Sequence, residues 1–223
     1  GYPRIVKEWK RGTPFESARV VYEGKPTDMY IAALRDHTPG FERDFVSRTL
    51  AFYNDELYLR DVQGCANAAG AGCAGAADAS GALKKIDAPN SASKSVHREW
   101  LLLELREPYD AHGCASAAGA GCAGAAEAGG KTWPAGSLIA TNFNDFMAGK
   151  RDFTALFTPT ERTSLAGYTW TKSHLVLNVL DDVKNRLSVL TPQAGEWKRT
   201  EFTGAPTFGT LGVSAVDADE SDA

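Results

Sequence analysis

The sequence predicts an all-β chain, and three observations carry the prediction. Short runs rich in β-branched and aromatic residues follow one another along the chain. Clusters of Gly, Pro, Asn and Asp separate them as turns. No amphipathic helical pattern of about 12 residues or more is present. Glu42–Ala51 comes nearest, and its β-branched and aromatic residues favour strand.

In chain order, the first predicted strands are Val6–Lys10, Arg19–Tyr22, Met29–Ala33, Asp44–Arg48 and Glu56–Arg60, with turns at Gly12–Pro14, Gly24–Pro26, Thr38–Gly40 and Asn54–Asp55. Leu83–Ile86, Glu99–Leu105, Ser137–Thr141 and Thr154–Phe157 follow. The last third is the clearest, with runs at Leu165–Trp170, His174–Leu180, Asn185–Leu190 and Trp197–Phe202. Their connections, Thr171–Ser173, Asp181–Lys184 and Thr191–Gly195, are short enough for antiparallel hairpins. A four-stranded antiparallel meander of roughly 40 residues has the size of one β-propeller blade. The expected architecture is therefore a partial β-propeller of four-stranded antiparallel blades.

Two segments stand outside this pattern. Gly64–Gly81 reads GCANAAGAGCAGAADASG, and Gly113–Gly130 nearly repeats it as GCASAAGAGCAGAAEAGG. The copies differ only at Asn67/Ser116, Asp78/Glu127 and Ser80/Gly129. Excising 64–80 and 113–129 leaves LYLRDVQ-GALKKID and REPYDAH-GKTWPAGSL, both ordinary strand–turn–strand joins. The segments read as insertions at hairpin tips, where added length has little entropic penalty. About 190 residues remain, which suits one unit over 1–223 with about three complete blades plus partial ones at each end.

Bulk composition narrows the function classes. The 223 residues carry 24 Lys and Arg against 28 Asp and Glu, a net charge of −4 with no basic field for nucleic acid. The short charge runs, Lys7–Arg11 and the acids Asp217, Asp219, Glu220 and Asp222, read as solvated turns. No apolar run reaches the roughly 18 residues that span a membrane. The start, Gly1-Tyr2-Pro3, has no Met or leader pattern and reads as the middle of a longer chain.

All four cysteines, Cys65, Cys73, Cys114 and Cys122, lie inside the two Ala/Gly segments, so the host fold is expected to stand without them. Three readings of them stay open. Disulfides Cys65–Cys73 and Cys114–Cys122 are local and geometrically easy. A four-thiolate metal site needs both loops ordered, and seven residues between the cysteines of each pair is unlike the usual zinc spacing. Free thiols on flexible loops are the plainest reading. His112 abuts the second segment and could add a nitrogen ligand.

Each segment also spells the dinucleotide fingerprint G-x-G-x-x-G, at Gly70–Gly75 and Gly119–Gly124. That chemistry needs a strand before the glycines and a helix after them. Gly81 and Gly129-Gly130 follow at once and leave no room for the helix. No cofactor is expected.

The remaining residues then resemble a family. Gly1–Pro14 (GYPRIVKEWKRGTP), Asp36–Leu59 (DHTPGFERDFVSRTLAFYNDELYL), Val96–Tyr109 (VHREWLLLELREPY), Thr132–Thr160 (TWPAGSLIATNFNDFMAGKRDFTALFTPT) and Leu175–Pro192 (LVLNVLDDVKNRLSVLTP) look like the N-terminal β-propeller of bacterial prolyl oligopeptidases. The resemblance covers nearly all the chain outside the two segments. It implies a serine peptidase that cleaves short peptides after proline. In that family an α/β-hydrolase domain carries the Ser, Asp and His, and the propeller covers the active site. It also implies a soluble bacterial protein of the cytoplasm or periplasm, with that hydrolase domain and short peptides as partners and neither nucleic acid nor membrane.

The family's nucleophile sits in a Gly-x-Ser-x-Gly elbow, which this sequence lacks. Ser164 in Thr163–Gly167 is the nearest in spelling and has no first glycine. The closing SAVDADESDA stands where the family continues into more blade, so the resemblance implies an internal slice of propeller, inactive as a peptidase by itself. No catalytic residue is assigned. Ser164, His174 and Asp181 form a triad only by composition, and Asp181-Asp182 reads as a hairpin turn. His37 and His97 read as surface or packed residues, while Trp9, Trp100, Trp133, Trp170 and Trp197 are expected between blades. The alternative from another class is a non-catalytic or engineered propeller scaffold whose Cys loops are the functional graft. An open propeller leaves strand edges uncovered, so association or marginal stability is expected.

Overall fold

The computed structural model describes residues 2–61, 82–111, 131–193, 196–206 and 209–223, with the side chains of residues 61 and 82 set aside. The segments 64–80 and 113–129 therefore lie outside the described residues, and with them Cys65, Cys73, Cys114, Cys122 and His112. The chain divides into two compact units, Gly1–Ser91 and Ala92–Ala223.

The first unit opens with β1 (Ile5–Glu8) and β2 (Arg19–Glu23), an antiparallel pair joined through a single 3-10 turn at Phe15–Ser17. Then come β3 (Tyr30–Asp36), β4 (Arg43–Ala51), β5 (Asn54–Asp61) and β6 (Ala82–Lys85), which form a four-stranded antiparallel sheet in sequence order. Alternation along these strands puts Ile31 and Val46 on one face, where Val21 of β2 completes a small buried cluster. Val6, Tyr22, Tyr58 and Leu83 pack around it. Gly24 permits the close approach of the β2–β3 connection. A Cβ there would meet Ile31 Cδ1 at 2.7 Å and the Asp28 carboxylate at 2.8 Å.

The second unit contains two more four-stranded sheets. One has the order β12-β11-β8-β7, from β7 (Ser93–His97), β8 (Trp100–Glu104), β11 (Leu138–Asn142) and β12 (Thr154–Phe157). Between β8 and β11 the chain makes a two-residue ladder of β9 (Tyr109–Asp110) with β10 (Thr132–Trp133). The other sheet is the meander β13 (Thr163–Trp170), β14 (Leu175–Asp181), β15 (Lys184–Gln193) and β16 (Glu196–Glu201). The two sheets pack through Leu102, Leu138, Ala140 and Leu156 on one side and Leu175, Leu177, Val179 and Leu190 on the other. Trp100, Trp170 and Trp197 line this core, with ring centroids 4.8 Å apart for Trp100–Trp197 and 5.9 Å for Trp170–Trp197. Three four-stranded antiparallel sheets in succession are the architecture of a partial propeller.

Several details differ from the sequence expectation. β7 went unread because Val96 is its one aliphatic residue, and as the edge of its sheet it needs no apolar alternation. The five-residue helix α1 (Phe143–Met147) is held by Asn142, whose side chain accepts the N–H groups of Asn144 and Asp145. Phe143 and Phe146, three residues apart, bury its inner face. Thr191–Gln193, expected in a turn, extend β15 and pair with Glu196–Lys198. Pro192 is tolerated there because the β14 pairing already ends at Leu190. Residues 209–223 contain no strand, so the one partial blade among the described residues is β1–β2. No helix among the described residues is long and apolar enough to cross a membrane.

Candidate functional site

The triad permitted by composition does not form. Ser164 lies exposed on β13 opposite Leu180. His174 precedes one end of β14, and Asp181 closes the other end. Seven residues of strand at about 3.3 Å each separate them by roughly 23 Å. His174 Nδ1 lies 2.9 Å from Thr191 Oγ1, and the Asp181 carboxylate accepts from Arg186 Nε at 2.6 Å. Asp182 sits at φ 55° in the β14–β15 turn and takes the Arg162 guanidinium. The adjacent acids are thus engaged by two different arginines. His37 is exposed, and His97 stacks on Trp170 at 4.5 Å.

Two of the five tryptophans depart from the expected place between sheets. Trp9 is half exposed in the β1–β2 connection, where its Nε1 donates to the Thr13 carbonyl at 3.1 Å. Trp133 is buried on β10 in an aromatic group with Tyr109 and Phe153. Neither lies on a face of a four-stranded sheet, and irregular spacing in sequence gave no sign of that. Among the described residues, no group of three or more His, Cys, Asp or Glu side chains converges in a way that would hold a metal ion.

Polar chemistry does gather in two places. The first lies in unit one, on the β3–β6 sheet. Arg48 donates to both carboxylate oxygens of Asp28, Nη2 to Oδ1 at 2.7 Å and Nε to Oδ2 at 2.9 Å. Its third nitrogen reaches Glu56 at 3.0 Å. Glu56 also accepts from the Tyr58 hydroxyl and from Lys85, each at 2.7 Å. The Lys25 N–H completes Asp28 at 2.7 Å. The Arg48 hydrogen bonds hold the Asp28 carboxyl below its ordinary range, although burial acts the other way. Burial, aided by the Glu56 carboxylate, pushes the Tyr58 phenol up to about 12. Every carboxylate in this network is engaged by two or more donors, so it is a clamp on the fold rather than an open reactive centre.

The second place lies in unit two, on the β13–β16 sheet. The face opposite the Leu175–Leu177 core carries Thr169, Val176, Leu187 and Val189, and residues 209–223 cross it as an irregular strap. Two clamps hold the strap. Asn178 Nδ2 donates to the Leu211 carbonyl at 2.7 Å, and the Leu211 N–H returns to Asn185 Oδ1 at 3.2 Å. At the far end Asp222 Oδ1 accepts the Thr171 hydroxyl at 2.8 Å and the Ser173 N–H at 2.7 Å. Burial pulls the Asp222 carboxyl up, but these two donors and the nearby His174 outweigh it and hold it low. Between the clamps remains a half-open cavity of about 180 Å³, closed by Phe202 and Val213.

The acids of the strap are exposed, as the reading of solvated turns expects, and Asp222 has a docking role besides. Asp217 does make such a turn, accepting the N–H groups of Asp219 and Glu220. Asp222, also exposed, docks on residues 49 and 51 positions earlier in the chain. No local pattern encodes so distant a partner; the D-x-D spelling of the turn was the legible part.

No family model matches the chain. A curated relative, an uncharacterized peptidase of Rickettsia prowazekii (strain Madrid E), is 24% identical over 228 residues. The alignment takes in 100% of this chain and 27% of the relative, so the chain spans about a quarter of that protein's length. A solved post-proline cleaving enzyme from Rickettsia typhi superposes with a TM-score of 0.66 at 23% identity, over 90% of this chain and 26% of that one. A solved prolyl endopeptidase also aligns, at 12% identity and a TM-score of 0.48 over 90% of this chain. This chain is similar, in sequence and in fold, to peptidases of the prolyl oligopeptidase type, and it covers a portion of them.

Proposed function

We propose that the chain is the substrate-gating propeller portion of a prolyl oligopeptidase-like serine peptidase that hydrolyses short proline-containing peptides. The observation that carries this reading is the fold likeness to a post-proline cleaving enzyme over 90% of the chain. The peptidase chemistry, acyl transfer through a serine nucleophile, then belongs to an α/β-hydrolase domain that this chain partners. Fully buried leucines between the two sheets of unit two, and an ion-pair network on the β3–β6 sheet of unit one, make each unit a stiff wall. A stiff wall admits a thin flexible peptide and turns away a folded protein. The two Ala/Gly/Cys segments are additions between β5 and β6 and between β9 and β10, outside that role.

The test joins this chain to an α/β-hydrolase domain of that peptidase type and follows cleavage after proline. The joined protein is expected to cut an octapeptide and spare a folded, proline-containing protein. The chain alone is expected to cut neither. Turnover by the chain alone that a serine-directed inhibitor blocks overturns the division of labour. Cleavage of the folded protein at the octapeptide's rate overturns the gating role. Intact mass with and without reductant reads the cysteines in parallel: free thiols are expected, and stoichiometric metal would favour a grafted binding loop.

A further inference from the structure

The β13–β16 sheet is apolar on both sides, yet its two faces are finished differently. Leu175, Leu177 and Leu190 are sealed at 0%, 0% and 2% exposure against the neighbouring sheet of the same unit. The other face leaves about 180 Å³ unfilled among Val176, Leu187, Val189 and Phe202 of the sheet and Val213 of the strap. Carbon atoms lining an unfilled space lack dispersion partners on one side, so an apolar body that enters gains contacts without displacing any. A hydrocarbon-lined cavity of about 150 Å³ is large enough for a six-carbon ring.

The rim supplies a charge. Asp222 uses Oδ1 for both the Thr171 hydroxyl and the Ser173 N–H. The Ser173 side chain and His174 also bear on this carboxylate, which has lone pairs left for a further donor. The strap around it, Asp217 to Asp222, carries four carboxylates and no basic residue. Thr171, His174 and Asp222 all line the same cavity. An apolar floor with an ionised carboxylate at its edge matches one ligand chemistry, a hydrocarbon body ending in an ammonium group.

We propose that this cavity is a binding site for a primary amine on an apolar body of about six carbons, with the body against Val176 and Val189 and the ammonium donating to Asp222. Free amines and the N-terminal residue of a peptide with an aliphatic side chain share that chemistry. The site is independent of the gating role, and its test needs no peptidase activity.

Titration of the isotope-labelled full chain by nuclear magnetic resonance, with cyclohexylamine, cyclohexanol and cyclohexanecarboxylate as probes, decides the matter. Cyclohexylamine is expected to shift the amides of Thr171, Val176 and Val189 and to bind about tenfold more tightly than the carboxylate, the scale of one charge-assisted hydrogen bond. Val189→Trp, which fills the cavity from the sheet, is expected to abolish binding of all three probes. Asp222→Asn is expected to bring the amine down to the alcohol and leave the alcohol unchanged. Should that substitution free the strap, alcohol binding falls too, and the wild-type ratio of amine to carboxylate still decides. Equal binding of amine and carboxylate, shifts confined to other residues, or no binding by any probe overturns the proposal. A Leu-Gly-Gly arm separates the sources: tighter binding than cyclohexylamine identifies a peptide N-terminus, weaker binding a free amine.

Discussion

Unit one holds a sheet face with charges, whereas unit two holds one with hydrocarbon. On β3–β6 the apolar cluster is only Val21, Ile31 and Val46, and Arg48, Asp28, Glu56, Tyr58 and Lys85 extend it as a connected polar network. Between the two sheets of unit two, nine buried apolar residues form the cluster, and among the described residues the Arg199 guanidinium reaches it through hydrogen bonds to Ser188 Oγ and the Leu156 carbonyl rather than through an ion pair. The same four-stranded architecture is therefore stabilised by two kinds of interaction that fail differently. A buried ion pair is all-or-none, because removing one partner strands a charge out of water. A hydrocarbon core fails in proportion to the volume removed.

The largest expected effect follows from that. Arg48 and Asp28 are 15% and 1% exposed, so Arg48→Ala leaves a buried carboxylate uncompensated. The expected loss is about 3–5 kcal/mol, read by denaturant unfolding and by faster amide exchange over β3–β5. Asp28→Ala together with Arg48→Ala should lose less than the two singles added, because the pair leaves no stranded charge between them. A single loss below about 1 kcal/mol would put the pair among surface contacts and erase the contrast. Next comes Leu177→Ala in unit two, a fully buried residue. Its expected loss is about 2–5 kcal/mol, with the faster exchange confined to β13–β16 and the sheet packed on it.

Acid sharpens the comparison without any substitution. The folded-state pKa of Asp28 lies below its ordinary 3.8 chiefly through Arg48. That of Glu56 lies below 4.5 because Lys85 and Tyr58 outweigh the upward pull of burial. A depressed carboxyl contributes its stability in full above the ordinary value and loses it as pH falls through the folded one. Unit one should therefore lose exchange protection below about pH 4 while the leucine core of unit two keeps its own. The exception in unit two is the strap, whose Asp222 is also held low. Acid should release the Asp222 end of the strap, leaving the Leu211 clamp and β13–β16 protected. Simultaneous loss of protection across both sheets of unit two would contradict the contrast.

The contrast also explains what was legible in the sequence. Short apolar runs bounded by turn residues could be read directly, and Thr154–Phe157 was placed residue for residue. β14 was legible as an apolar run, but Val176 and Leu180 interleave with Leu175, Leu177 and Val179, so the run did not say which face would become the core. β7 and the β9–β10 ladder were missed because an edge strand and a two-residue pairing need no periodic pattern. The ionic network was invisible for a different reason. Arg48 finds Asp28 20 positions away, and a charge inside a strand reads as solvent-facing until its partner is placed. The same holds for Asp222 and the cavity beside it, where strap and sheet meet only in three dimensions. Tight turns were legible in place but not in conformation. Tyr53, Arg98 and Asp182 occupy the two-residue turns β4–β5, β7–β8 and β14–β15 at positive φ, without the glycine that favours it.

The smallest expected effect asks whether burial, rather than charge itself, sets the weight of an ion pair. Arg162 and Asp182 form a close guanidinium–carboxylate pair, as Arg48 and Asp28 do, but their side chains are 74% and 49% exposed. Water and salt already solvate both partners, so Arg162→Ala should leave the melting temperature unchanged within error at any ionic strength. Asp182 has a second role, holding φ 55° in the β14–β15 turn. Asp182→Gly removes the ion pair and relieves that conformation at once, so it should be neutral or slightly stabilising. Asp182→Val removes the same ion pair but puts a β-branched side chain at the same φ, and should destabilise. If the order were reversed, with Arg162→Ala costly and the two Asp182 variants alike, proximity of charge would matter more than removal from water. The network in unit one would then owe its expected strength to geometry alone, and the difference between the two units would vanish.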